Sequence, residues 1–148
     1  MFEPTIFRRS TRGAYDASNP HISASGVPRY PKSQEDRWRQ LEEAHALDAR
    51  AAYEATCLGV YQICGSNYSV LGFASPGEMS WFASQSETNQ LEIFVRFIEK
   101  RGLLPLLKQK DWAGFVRKYV GPGQPAYVPR LEQGYSDGMR SLGFFAQR

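Results

Sequence analysis

The sequence is poor in the residues on which most chemistries lean. It holds two cysteines and two histidines in 148 residues, which rules out a disulfide-rich framework. A metal at Cys57 and Cys64 would need at least two more ligands, and His21 and His45 stand in no metal-ligand spacing with them. No cofactor or metal is expected. No run approaches the ~18 apolar residues of a membrane span, and the opening Met1-Phe2-Glu3-Pro4 has neither the basic nor the apolar region of a signal peptide. Runs of five or six like charges are missing, as is a basic stripe with interleaved aromatics, so the net charge of +3 points to no nucleic-acid partner. The glycine signatures of P-loops and dinucleotide sites and the G-x-S-x-G elbow are absent as well.

What is present suits one folded domain over residues 1–148. The composition is 42% hydrophobic, 14% aromatic and 22% charged, which is enough apolar material for a core and too little length for two comfortable ones. Tyr and Trp in this number serve core packing, or sites that need a flat apolar face with a polar handle.

The patterning is mainly helical with a small β-element near the N-terminus. Phe2 to Phe7 alternates and reads as a short strand, and the Gly/Pro/Ser/Asn-rich segment through Ser33 reads as a loop. Ser33 is placed to cap a helix through Trp38, Leu41, Ala44 and His45, and Asp48 a second helix containing Ala51, Ala52 and Ala55. Residues 59–64 read as a third, short helix. Ser75-Pro76-Gly77-Glu78 is a capping box with proline at the first helical position, followed by Met79, Trp81 and Phe82. Leu91, Phe94, Val95 and Ile98 make a stripe on a helix from Ser86 to Arg101, with Gly102 suited to end it. Asp111 caps a helix with Trp112, Phe115, Val116 and Tyr119 on one face, and Leu131, Tyr135, Met139 and Leu142 mark a last amphipathic helix.

Two polar residues stand out. Gln62 lies in the apolar run "LGVYQICG", where a buried amide without partners costs a few kcal/mol. It is either satisfied by backbone or aimed at a ligand. Glu3 lies between Phe2 and Ile6, facing solvent or kept for a role. Cys57 and Cys64 would stand about 10 Å apart along a continuous helix, too far for a disulfide, although Gly59 offers an interruption. Two buried free thiols in a reducing compartment are expected.

The stretches "FEPTIF", "DASNPHIS", "LGVYQICGSNYSVLGF" and "QLEIFVRFIEKRGLLPLLKQKDWAGFVRKYVGPG" together resemble the N-acetylmuramidase domain of phage endolysins, in the same order and over essentially the whole chain. The resemblance implies a lysozyme-like helical fold that hydrolyses the bond between N-acetylmuramic acid and N-acetylglucosamine. Its partners would be the glycan strands of peptidoglycan. It implies synthesis in the cytoplasm of an infected bacterium and action at the periplasmic wall. Within it Glu3 matches the second catalytic carboxylate, Tyr61, Gln62, Asn67 and Tyr68 line the sugar cleft, and Tyr119 belongs to the opposite wall.

The sequence also departs from the family. The helix bearing the family's general-acid glutamate, upstream of the Phe-Glu strand, has no counterpart, so the domain reads as N-terminally short. A second chain covering that helix's place is one expectation. Pro4-Thr5 replaces an Arg-His pair, Val120 the asparagine of Tyr-Asn-Gly-Pro, and Cys57-Leu58 a Ser-Trp pair. The alternative reading that follows is a catalytically inactive cell-wall-binding or phage-particle structural protein of the same fold.

Overall fold

The computed structural model describes residues 1–23 and 30–143, and within them the chain is mainly helical. The chain packs as two compact units, Met1–Phe97 and Ile98–Arg148.

The first unit opens differently from the alternating pattern. Phe2 makes only an isolated antiparallel bridge to Thr56, and Pro4–Ser10 is helix α1. The correction has a local cause: proline's fixed φ suits the first helical turn, where no N–H is needed, and Glu3 takes the N-cap position with an extended backbone. Glu3 therefore precedes a helix, tied to the next layer by its N–H to Ala55 O at 2.8 Å.

Helix α2, Gln34–Leu47, is capped by Ser33, whose Oγ accepts the Asp36 N–H at 3.0 Å. Helix α3, Ala49–Ala55, is capped by Asp48, whose Oδ1 accepts the Ala51 N–H at 2.9 Å. The small side chains Ala51, Ala52 and Ala55 let α1 and α2 approach α3 closely, around a core with Phe2, Phe7, Ile22 and Ala44. Ile22 and Ser23, in the segment read as loop, are buried; residues 24–29 of that segment lie outside the described part.

Residues 57–64 are a hairpin, not the expected helix. Strand β1 is Cys57–Leu58 and β2 is Ile63–Cys64, paired antiparallel with Cys57 opposite Cys64 and Leu58 opposite Ile63. Gly59 at φ +71° and Gln62 at φ +52° reverse the chain between them. With the helix goes the argument for free thiols: Cys57 and Cys64 are joined by a disulfide. The Cys57 N–H turns outward to Met1 O, so the two cysteines form a non-hydrogen-bonded pair, the register position where opposing side chains come closest.

A 3₁₀ turn, Gly65–Asn67, follows. A Cβ on Gly65 would stand 2.1 Å from Tyr53 O, so only glycine lets the hairpin lie this close to α3. Helix α4, Pro76–Gln85, begins as expected, with Ser75 Oγ accepting the Glu78 N–H. The Glu78 carboxylate reaches one residue further back than in a standard capping box, to the Ala74 N–H at 2.6 Å. Helix α5 is Glu87–Lys100. Ile63, Leu71, Phe73, Met79, Ala83 and Ile93 form a second core.

The second unit holds α6, Leu104–Lys108; α7, Trp112–Tyr119; and α8, Tyr127–Ser141. The short α6 has no counterpart in the periodicity of the sequence; α7 has the expected Asp111 cap, accepting the Gly114 N–H at 2.9 Å. Trp112 meets Tyr135 of α8 at 5.3 Å between ring centroids. Helix α8 starts before its apolar stripe and buries none of its residues.

Candidate functional site

The hairpin is the organising feature. Its turn, residues 59–62, points the Val60 N–H and the Tyr61 ring toward α5 and places Gln62 on the groove beside α2. The Tyr61 ring stacks on Phe94 at 4.5 Å and 21°. Gln62 lines a groove of about 300 Å³ together with Phe2, Gln34, Arg37, Trp38 and Leu41.

Both ends of the Gln62 amide are engaged: Oε1 accepts from the Met1 amine at 3.4 Å, and Nε2 donates to Gly59 O at 2.7 Å. The bond to Gly59 steadies the turn in which Gln62 itself holds φ +52°, a conformation costly for a residue with a Cβ. Backbone satisfaction and position at a groove coexist here: one end of the amide closes the turn while the residue lines the wall.

A second groove of about 540 Å³ adjoins the first, sharing Trp38, Leu41, Thr56 and Leu58 as walls. It adds Glu42, His45, Tyr53 and Trp81. His45 meets Tyr53 edge-on at 5.4 Å, while Trp38 is 52% and Trp81 70% exposed. Of the stripe expected on α2, Ala44 is buried in the core and Leu41 packs against it, whereas Trp38 forms groove wall. Polar amide and guanidinium groups at one end and flat aromatic faces at the other are the surfaces that orient and stack a polar ring ligand.

The remaining candidates are placed as follows. Glu3 follows Phe2, itself a wall of the smaller groove, and its carboxylate accepts the Tyr30 hydroxyl at 2.8 Å. Burial, then the hydrogen bond to Glu3 and its charge, push the Tyr30 phenol up to about 12. Asn67 Nδ2 donates to Cys64 O at 3.1 Å, bracing the base of the hairpin. Tyr68 faces α3, where its hydroxyl accepts from Arg50 Nη2 at 2.8 Å. Tyr119 lies in the second unit, stacked on Phe115 at 5.1 Å. Gln62 and Glu3 are thus near one groove, and Tyr61 sits behind it.

His21 pairs with Glu43 at 2.8 Å, at the surface; this bond, above all, holds the Glu43 carboxyl below its usual range. Among the described residues no cluster of His, Cys, Asp and Glu could hold a metal ion. Sequence pattern does not mark Gln90, Trp38 or Trp81 as site residues. Gln90 falls among the polar positions of an amphipathic helix, where nothing distinguishes it from its neighbours. The two tryptophans sit at helix positions that periodicity assigns to packing.

A model of the N-acetylmuramidase family matches residues 1–137. Among solved structures, the crystal structure of the Burkholderia AP3 phage endolysin matches with a TM-score of 0.82 and 28% sequence identity, over 94% of this chain and 56% of that chain. The chain thus spans little more than half the length of that endolysin. No curated protein matches it.

Proposed function

Since the chain belongs to the N-acetylmuramidase family, with its model matching residues 1–137, we propose that it is an endolysin-type muramidase acting on peptidoglycan glycan strands. The bond cleaved is the glycosidic link from N-acetylmuramic acid to N-acetylglucosamine. The family match carries this reading, and the groove at Gln62 supports it with amide and guanidinium groups for sugar hydroxyl and acetamido groups. In this account Tyr61 and Asn67 support the turn that presents Gln62, through the stack on Phe94 and the bond to Cys64 O.

Glycoside hydrolysis needs two carboxyl groups in different environments, one to donate a proton and one to stabilise charge or activate water. Glu3 takes the second role, held by the Tyr30 hydroxyl. The first role needs a carboxyl in a desolvated setting that keeps it protonated. The protein is made in the bacterial cytoplasm and acts at the periplasmic cell wall. Among the described residues no helix is long and apolar enough to cross a membrane.

One observation favours the second reading, a catalytically inactive wall-binding or phage-particle protein. The walls of the two grooves include a single carboxylate, Glu42, which is exposed. Glycan release from purified peptidoglycan separates the two: turnover supports the enzyme, and co-sedimentation with peptidoglycan without turnover supports the binding protein.

A further inference from the structure

A single amide side chain ties the turn that carries Gln62 to two helices. Gln90, on α5, accepts the Val60 N–H through Oε1 at 3.0 Å and donates through Nε2 to Ala83 O, near the end of α4, at 3.1 Å. One amide therefore links three elements: hairpin turn, α4 and α5. The sequence makes room for it at Gly59, where a Cβ would stand 2.3 Å from Gln90 Oε1. One helical turn later on α5, Phe94 stacks on Tyr61. The outer side of the turn is thus fixed at two consecutive residues, and Gln62 is the next residue in line.

We propose that Gln90 is a positioning residue for substrate binding, acting through the turn that presents Gln62 to the glycan. The inference rests on the muramidase reading of the groove. Its chemistry is specific to an amide. The Val60 N–H requires an acceptor and the Ala83 carbonyl requires a donor, so a carboxylate at residue 90 meets the first demand and opposes the second. A protonated carboxyl meets both, by accepting at one oxygen and donating at the other. Leucine meets neither.

The test measures binding of a soluble N-acetylglucosamine–N-acetylmuramic acid tetrasaccharide to the full chain and to its Gln90→Leu and Gln90→Glu variants. Hydrogen exchange at the Val60 amide is followed in the same samples. Gln90→Leu weakens binding about tenfold, the factor that 1.4 kcal/mol carries, and speeds exchange at Val60. Gln90→Glu behaves like leucine at pH 7. Relative to the parent at the same pH, it recovers affinity and Val60 protection as the pH falls toward the ordinary glutamic acid range, near about 4.3.

That acid rescue is a signature that general loosening of the fold does not produce. Parent affinity unchanged in both variants overturns the proposal, as does a loss at Gln90→Glu that acid fails to restore. A parent chain that binds no glycan at all removes the reading of the groove, and the positioning role with it.

Discussion

Cys57 and Cys64 face each other across the two strands of the hairpin and are joined by a disulfide, so the turn bearing Gln62 is closed at its base by a covalent bond. Cross-linking residues seven apart removes loop-closure entropy from the unfolded chain worth about 2 kcal/mol. Urea denaturation with and without reductant should show stability falling by that amount, and a Cys57→Ser, Cys64→Ser double variant should match the reduced protein. Equal midpoints in the two conditions would remove the disulfide from the account of hairpin order.

Gly65 is the tightest backbone approach in the first unit. With Tyr53 O only 2.1 Å from the place of a Cβ, and both partners fixed by secondary structure, Gly65→Ala must shift backbone. A loss of about 3 kcal/mol is expected, at the upper end of overpacking costs. A variant as stable as the parent in chemical denaturation would mean that hairpin and α3 are not packed as described.

Capping gives a milder prediction. Ser75 Oγ accepts the Glu78 N–H at 3.0 Å, and removing that acceptor in Ser75→Ala should cost about 1 kcal/mol. Thermal unfolding of the two proteins is sufficient to read it.

These caps also show what a sequence reveals. Ser33, Asp48, Ser75 and Asp111 each cap the helix expected of them, because a cap is a contact between residues two or three apart and needs no knowledge of the fold. The stripe on α5 is legible only in part: Ile98 is buried and Phe94 packs against the core, but Leu91 and Val95 are exposed and Ile93, outside the expected stripe, is buried instead. The hairpin is not legible, because a short apolar run serves a strand or a buried helix equally well. The positive φ of Gln62 is imposed by bonds to Gly59 and, through Val60, to Gln90, thirty residues away from it. The expected helix takes the cysteines with it, since a separation measured along a helix axis means nothing in a hairpin. At the N-terminus the alternation of Phe2 and Ile6 suggests a strand, although the proline at residue 4 is the stronger local signal. At the site, Glu3 and Gln62 draw notice as polar residues in apolar stretches, whereas Gln90 looks like any surface glutamine.

Titration supplies a prediction at each end of the pH range. Glu43, held down chiefly by its hydrogen bond to His21, contributes stability that is complete above the unfolded carboxyl range and is lost as pH falls through its lower folded value. Tyr30 acts at the other end. Its folded value of about 12 lies above the ordinary phenol value of 10.0, so its contribution is present below about pH 10 and is lost as pH rises toward 12. Absorbance titration of the phenolates should show a late component that Tyr30→Phe removes, and Glu43→Gln should flatten the acid limb of the stability profile. A Tyr30 that ionises at the ordinary phenol value of 10.0 would contradict its bond to Glu3.

The central claim is that Glu3 serves glycoside hydrolysis beside a groove built around Gln62. The most direct measurement is release of reducing ends from purified peptidoglycan by the parent chain and by Glu3→Gln, each also checked for co-sedimentation with the wall. The account predicts release by the parent and a loss of about 10² to 10⁴ in rate in the variant, with binding retained by both. Release that Glu3→Gln leaves untouched would contradict the role of Glu3, and binding without release by either protein would leave the inactive wall-binding reading in its place.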